Sequence, residues 1–325
     1  MMVQDVKSGP KGAIPVPVGI TLPLTFPENY SYHHVLGYSW TSAGPVLTME
    51  RLYREGGSLH PSGEVCEVDM GGIPEIDMVI SGTRICTGRW AEGGHIHCPS
   101  LAHLVTESQC YSCLSGDFPD PVCIFEPHCS SGSCGAGFCQ AEHAVYLAVY
   151  HDRLKVGMTQ VRRLHMRGME QGADLITAVA LLGDRYSART LECIISLQCS
   201  IPQSVHPTNM LKSMRRKFDE DRAFHMTMSA VDEIRLSWDR ISERIGTYGG
   251  IKVLTATPDM KFQPVSIEYP LQNPLETSPR RLKGNCLKGK IVGFKGGFMI
   301  IRSHGLHAYN MHDSIGMVVM CPEYG

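Results

Sequence analysis

The chain has 325 residues, a hydrophobic fraction of 43%, a charged fraction of 19% and a formal net charge of -2. That length accommodates two or three ordinary domains, and the composition is that of a globular chain, not a disordered one. The near-balanced charge excludes a globally basic protein, so an anionic partner would have to be met by local patches. No apolar run reaches the length of a membrane-spanning helix, and residues 1–10 lack the apolar stretch of a secretory signal. A cytoplasmic protein without a membrane partner is expected. Thiols stay reduced there, so the 13 cysteines point to metal binding or catalysis and away from disulfides.

Residues 1–27 are rich in Pro and Gly and read as an extended arm. Short β-type runs come next at 32–38, 46–53, 65–70 and 76–86, separated by Gly-Pro, Pro-Ser-Gly and Gly-Gly turn signals. From 93 to 142 the chain is dominated by Cys, His, Gly, Ser and Pro, with too few apolar residues for a core of its own. Such a segment needs a metal to fold.

Its candidate ligands fall into two groups. His95 (or His97) with Cys98, then Cys110 and Cys113, gives the two tight turns that close a tetrahedral zinc site. Cys123, Cys129, Cys134, Cys139 and His143 recur every few residues, and four of them suffice for a second ion. The histidines favour zinc, one ion or two; an iron–sulfur cluster on the four cysteines of the second group is the alternative. No Lys or Arg occurs between Arg89 and Arg153, whereas several carboxylates do. The module is therefore expected to be a structural clamp bracing the hairpin on its C-terminal side, and not itself a grip for phosphates.

After His143 comes an apolar strand at 144–150, a turn at 151–153 and a second strand at 154–157, which together make a hairpin. Helices are expected at 161–171, 187–197, 209–223 and 230–244. In the last of these Val231, Ile234, Trp238 and Ile241 recur at helical spacing, with Ile245 just beyond, and mark a core face. Short strands return at 265–269, 289–294, 298–302, 306–309 and 315–320, with a Gly296-Gly297 turn between two of them.

Val145-Tyr146-Leu147, then Lys155-Val156-Gly157-Met158-Thr159, then Arg167 and Glu192 on helices, resembles the GIY-YIG nuclease superfamily, especially its phage-type branch. The resemblance implies a hairpin carrying two tripeptides, an Arg on the first helix, and a later Glu that binds a divalent metal, here Mg²⁺ at Glu192. Phosphodiester hydrolysis needs a cation against developing charge, a carboxylate-held metal and a base for water. Arg167 and Glu192 would supply the first two, with Tyr146 or Lys155 at the base position. Lys155 stands where the second motif usually begins with Tyr.

A second resemblance, from about Cys98 to the C-terminus, is to an uncharacterised prokaryotic Cys-rich domain-of-unknown-function family. It is carried by Cys110/Cys113, the run Cys123–Cys139, His143, Val145–Ala148 and Lys155–Gly157. Arg167 with Gln171-Gly172-Ala173, and Gly293-Phe294-Lys295-Gly296, complete it. With the patterns read along the chain, these resemblances give an expected α+β protein with a β-rich N-terminal domain (1–92), a zinc-ribbon or knuckle module (93–143) and a GIY-YIG-like α/β core (144–200). A helical segment (201–250) and a small C-terminal β domain (251–325) make up the rest.

Basic residues cluster after the module: Arg153, Arg162 and Arg163 near the hairpin, Arg215, Arg216 and Lys217 on a helix, and Lys288, Lys290 and Lys295 on C-terminal strands. Such clusters attract phosphates. Three functions are expected: a zinc-binding, Mg-dependent phosphodiesterase on RNA or DNA; a catalytically inactive RNA- or ribosome-associated protein; or an iron–sulfur redox or sulfur-transfer protein.

Overall fold

The computed structural model describes residue 20 and residues 29–117, 137–248, 251–256, 263–272 and 274–322. The protein is mixed α+β and rich in strands. Four long strands open it: β1 (Tyr30–Thr41), β2 (Gly44–Glu55), β3 (Ser58–Asp69) and β4 (Glu75–Ile85). A small ribbon of β5 (Arg89–Ala91) and β6 (Gly94–Ile96) comes after them, then β7 (His103–Leu104), α1 (Tyr111–Asp117) and α2 (Gly137–Gln140). Next come the hairpin β8 (His143–Tyr150) and β9 (Arg153–Gln160), then α3 (Leu164–Gln171), β10 (Leu175–Leu182) and α4 (Arg185–Gln198). Three helices, α5 (Pro207–Ser213), α6 (Glu220–Leu236) and α7 (Trp238–Gly246), lead to β11 (Val253–Ala256) and β12 (Val265–Ser266). The chain finishes with β13 (Arg280–Arg281), β14 (Cys286–Lys295), β15 (Phe298–Arg302), β16 (Leu306–Asn310) and β17 (Met317–Pro322).

Strands β1–β4 and β13–β17, expected in separate N- and C-terminal β units (1–92 and 251–325), share one large sheet. Its order is β13-β16-β15-β14-β4-β17-β1-β2-β3, with β7 added on β4. β4 thus lies between β14 and β17, two strands that arrive some two hundred residues later in the chain. A second sheet, β11-β10-β8-β9 with β12 on β10, carries the hairpin at one edge.

The hairpin's first strand explains its own composition. Every residue of β8 is buried. Val145 and Leu147 face a core made with α4, α6 and α7, whereas Tyr146, Ala148 and Tyr150 face Phe298, Ile300 and Ala308 of the large sheet. A strand covered on both sides reads as one apolar run, not as an alternation. β10, its other neighbour, is a similar run, Leu-Ile-Thr-Ala-Val-Ala-Leu-Leu.

The helices expected at 209–223 and 230–244 are redistributed. Asp219 caps α6 by accepting a hydrogen bond from the Arg222 amide, which separates α5 from α6. α6 ends at Leu236 and α7 begins at Trp238, and Val231, Ile234 and Ile241 share one core with Trp238 and Ile245 against it.

The two sheets meet through a compact joint. Gly172 ends α3 in the left-handed conformation at φ 78°, and Gly296 turns β14 into β15 at φ 56°. They pack back to back: a Cβ on Gly296 would lie 2.7 Å from the Gly172 nitrogen. Trp40 Nε1 and Tyr38 OH both donate to the Gly296 carbonyl, at 2.9 and 3.1 Å. Lys295 and Asp174, both buried, are ion-paired beside them. Tyr269 lies under the Lys295 ammonium and donates to the Ala173 carbonyl at 2.8 Å.

Removing the Lys295 charge leaves a buried carboxylate uncompensated, which typically costs about 3–5 kcal/mol. Lys295→Met is therefore expected to lower the urea midpoint far more than Lys288→Met, whose partner Asp77 it meets at an exposed site. Equal midpoints for the two variants would show that the ion pair adds nothing to stability.

Candidate functional site

Among the described residues one group of thiols gathers as metal ligands do: Cys86, Cys98, Cys110 and Cys113, with all four sulfurs within 4.8 Å of one another. Sulfurs around a tetrahedral zinc stand about 3.8 Å apart, given a Zn–S distance of about 2.3 Å. The Cys98 and Cys110 sulfurs are already 3.9 Å apart. Each thiol sits at or near the end of a regular element. Cys86 comes directly after β4, Cys98 shortly after β6, and Cys110 and Cys113 bracket the start of α1.

Backbone amides point into the cluster, as thiolates require. The Cys110 and Gly88 amides donate to Cys86 Sγ at 3.1 and 3.4 Å, and Ser100 Oγ lies 3.3 Å from Cys98 Sγ. Burial opposes a thiolate throughout, but at Cys98 hydrogen bonds from the Ala102 backbone and from Ser100 outweigh it and hold the thiol down to about 6. Burial pushes Cys86 up to about 11 and, with the neighbouring thiols, raises Cys113 as well. Four thiolates at this spacing need a cation, and the all-sulfur donor set suits zinc or iron.

His95, expected as a ligand, is replaced by Cys86. Its Nε2 lies 2.6 Å from the Thr87 carbonyl and its Nδ1 3.9 Å from the buried Glu50 carboxylate. His97 is exposed. Cys123, Cys129 and Cys134 lie outside the described residues. Among the described residues no ligand group includes Cys139, in α2, or His143, at the start of β8. His143 Nδ1 lies 2.7 Å from the Ala141 carbonyl, and burial lowers its pKa. The thiol cluster hangs from β4, the strand inside the large sheet, and β8 is no part of it.

A second site lies on the hairpin. Tyr146, Lys155, Arg167 and Glu192 come from β8, β9, α3 and α4 and line one cavity of about 290 Å³. Arg185, Arg189, Gln171 and Gln203 complete its walls. Register accounts for the first pair. Tyr146 lies opposite Gly157 and Ala148 opposite Lys155, so Tyr146 and Lys155 occupy the same face. Gly157 is required there, because a Cβ on it would stand 2.5 Å from the Tyr146 ring. α4 divides its residues by face: Ala188, Leu191 and Ile195 enter the core, while Arg185, Arg189 and Glu192 turn to the cavity.

Within the cavity, Tyr146 OH donates to Gln171 Oε1 at 2.9 Å. Arg189 Nη1 bridges Glu192 Oε2 and Gln203 Oε1, each at 3.0 Å. Burial raises the Glu192 pKa against the pull of Arg189, and it raises Tyr146 to about 12. Burial lowers Lys155 to about 8, with Arg167 acting in the same direction. Met158, Arg167 and Arg185 also line an adjoining cavity of about 560 Å³, with Arg162, Arg163, Phe138 and His143.

The remaining basic residues separate. Arg153 and Arg216 share a third cavity, of about 210 Å³, with Lys212 at the turn end of the hairpin, and Arg216 pairs with Asp152 at 3.5 Å. Arg215 and Lys217 are exposed beside them, and Lys288 and Lys290 are exposed on β14. Lys295 is corrected: it is buried in the joint with Asp174 and presents no charge to a ligand. Sequence reasoning missed Arg185 and Arg189, although 185, 189 and 192 share one helical face. It also missed Cys86, which in the sequence closes a strand-like run.

Among the described residues no helix is long and apolar enough to cross a membrane. No curated protein and no solved structure matches the chain. The family described as "Protein of unknown function (DUF2797)" matches residues 74–319, from the start of β4 into β17, spanning both the thiol cluster and the hairpin cleft. The chain belongs to the DUF2797 family.

Proposed function

We propose that this protein is zinc-stabilised and interacts with nucleic acid, and that its GIY-YIG-like hairpin cleft hydrolyses phosphodiesters with Mg²⁺ at Glu192. The observation that carries the reading is the convergence of Tyr146, Lys155, Arg167 and Glu192 on one cavity. They come from four elements, and the adjoining basic cavity is wide enough for a neighbouring part of the strand.

The chemistry comes from the side chains. Arg167 and Arg185 reach both cavities and would meet the phosphate oxygens as charge develops on them. Arg189 holds the Glu192 carboxylate in place. A divalent cation, when bound there, would neutralise a phosphate oxygen and orient the water; one carboxylate with substrate phosphates is an ordinary Mg²⁺ donor set. Arg162 and Arg163 would hold flanking phosphates, and Arg153, Arg215, Arg216, Lys217, Lys288 and Lys290 would add longer-range attraction.

Two other readings have their own support. The Arg189–Glu192 pair occupies the carboxylate that a metal would need, which favours a catalytically inactive RNA- or ribosome-associated protein. The all-thiolate donor set would also suit an iron centre in a redox or sulfur-transfer protein.

With Mg²⁺ and labelled RNA or DNA, the protein is expected to cleave, and Glu192→Gln to lower the rate by roughly 100-fold or more while binding in a gel-shift assay is retained. Equal binding by both proteins with no cleavage by either would establish the inactive reading instead.

Elemental analysis is expected to find zinc. Cys86→Ser and Cys98→Ser should lose it together with soluble folded protein, whereas Cys66→Ser, at an exposed position, should keep it. A coloured, iron-replete protein would reject zinc, and a zinc-replete Cys86→Ser variant would reject that ligand assignment.

A further inference from the structure

The described residues include two buried lysines with opposite surroundings. Lys295 is ion-paired with Asp174. Lys155 is equally hidden, at 8% exposure, yet forms no ion pair with a described residue. Burying an ammonium without a carboxylate partner favours the neutral amine.

The groups around Lys155 reinforce this. Tyr150, on β8, lies with its ring centroid 5.9 Å from Nζ, and Tyr146 stands on the same strand. Arg167 comes from α3, and Arg185, Arg189 and Glu192 come from α4. Glu192, the one carboxylate on these walls, is held by Arg189. The amine therefore faces more cations than anions.

Tyr146, the other candidate base, is committed elsewhere. Its hydroxyl proton goes to Gln171 Oε1, an oxygen that Tyr150 OH also meets at 3.2 Å, and Arg167 lines the same cavity. The ring lies directly on Gly157, where a Cβ would stand 2.5 Å from it. These contacts fix Gln171, and with it the α3 turn that carries Arg167, against the hairpin.

We propose that Lys155 is the proton acceptor of the cleft, and that Tyr146 is a positioning residue. This rests on the phosphodiesterase reading. Neutral Lys155 Nζ takes a proton from water as the water oxygen bonds to phosphorus. The bond from phosphorus to the leaving oxygen breaks, the leaving oxygen takes a proton from solvent, and Lys155 returns its own to solvent. One diester and one water give one monoester and one alcohol.

Two measurements on the full chain test it. Competitive acetylation with acetic anhydride, read peptide by peptide by mass spectrometry, reports the ionisation of each amine without any need for activity. Lys155 is expected to react with a midpoint near pH 8, the value to which burial and Arg167 lower it, well below that of a lysine model peptide acetylated in the same tube, about 10.4. Cleavage of labelled RNA and DNA with Mg²⁺ from pH 6 to 10 should rise about tenfold per pH unit and level off near the same midpoint. Lys155→Arg should lower kcat/KM roughly 100- to 10,000-fold at every pH. Tyr146→Phe should keep the midpoint and lose less than that.

A Lys155 that acetylates like the model peptide overturns the proposal. So does a Lys155→Arg variant that cleaves while Tyr146→Phe does not; either result leaves the phosphodiesterase reading standing. Absence of cleavage by the unmodified protein at any pH overturns both.

Discussion

The carboxylate of Asp174 is the point on which the two halves of this protein turn. One of its oxygens meets Lys295 from the large sheet, and the other accepts the His151 amide at 2.9 Å, holding the hairpin turn where His151 adopts φ 58°. Its own backbone bonds to Val149 on one side and to Ile267 on the other. A single residue thus ties together the turn of the hairpin, the strand beside it and the opposite sheet. Because the pair is buried, its geometry is held by hydrogen bonds and packing that water cannot replace.

The cleft inherits its order from that joint. Gly172 against Gly296 fixes the C-terminal end of α3, and Tyr269 binds the carbonyls of Gly168, Met169 and Ala173 along that same end. Arg167 and Gln171 lie in this anchored turn, facing a hairpin whose own turn is tied to Asp174. A side chain that must meet a phosphate within a few tenths of an ångström belongs on elements clamped at both ends. The glycine-rich motifs at 172 and 293–296 are therefore structural: their lack of side chains lets one sheet approach the other.

The same joint decides which parts of the protein were legible in its sequence. The hairpin was, because an apolar run at 144–150 and a second strand at 154–157 flank the short polar turn His151-Asp152-Arg153. β10 was not, because a mainly apolar run without alternation, with no turn signal to pair it, fits a buried strand and a buried helix equally well. Lys295 reads as surface charge because a lone basic residue in a basic run carries no mark of its partner, and Asp174 is distant in sequence. Cys86 was hidden for the opposite reason: it sits at the end of a convincing strand, and its three companions come only after β5 and β6. Contacts between β4 and strands from the C-terminal end leave no local pattern at all.

The thiol cluster and the cleft then answer to different constraints on one scaffold. Cys86 continues β4, whose neighbours β14 and β17 close the large sheet, so a metal there would fasten the end of an interior strand to α1. β14 is also the strand that ends in Lys295 and Gly296. The route from the thiols to the cleft therefore runs through the hydrogen bonds of β4 with β14 and then through the Lys295–Asp174 pair. Loss of metal should act on the cleft by loosening β4, and not by altering its charges, since none of the four cysteines lines it. A scaffold of this kind separates the group that stabilises the sheet from the groups that meet a substrate, and it leaves Lys155 buried in the cleft without an ion pair to any described residue.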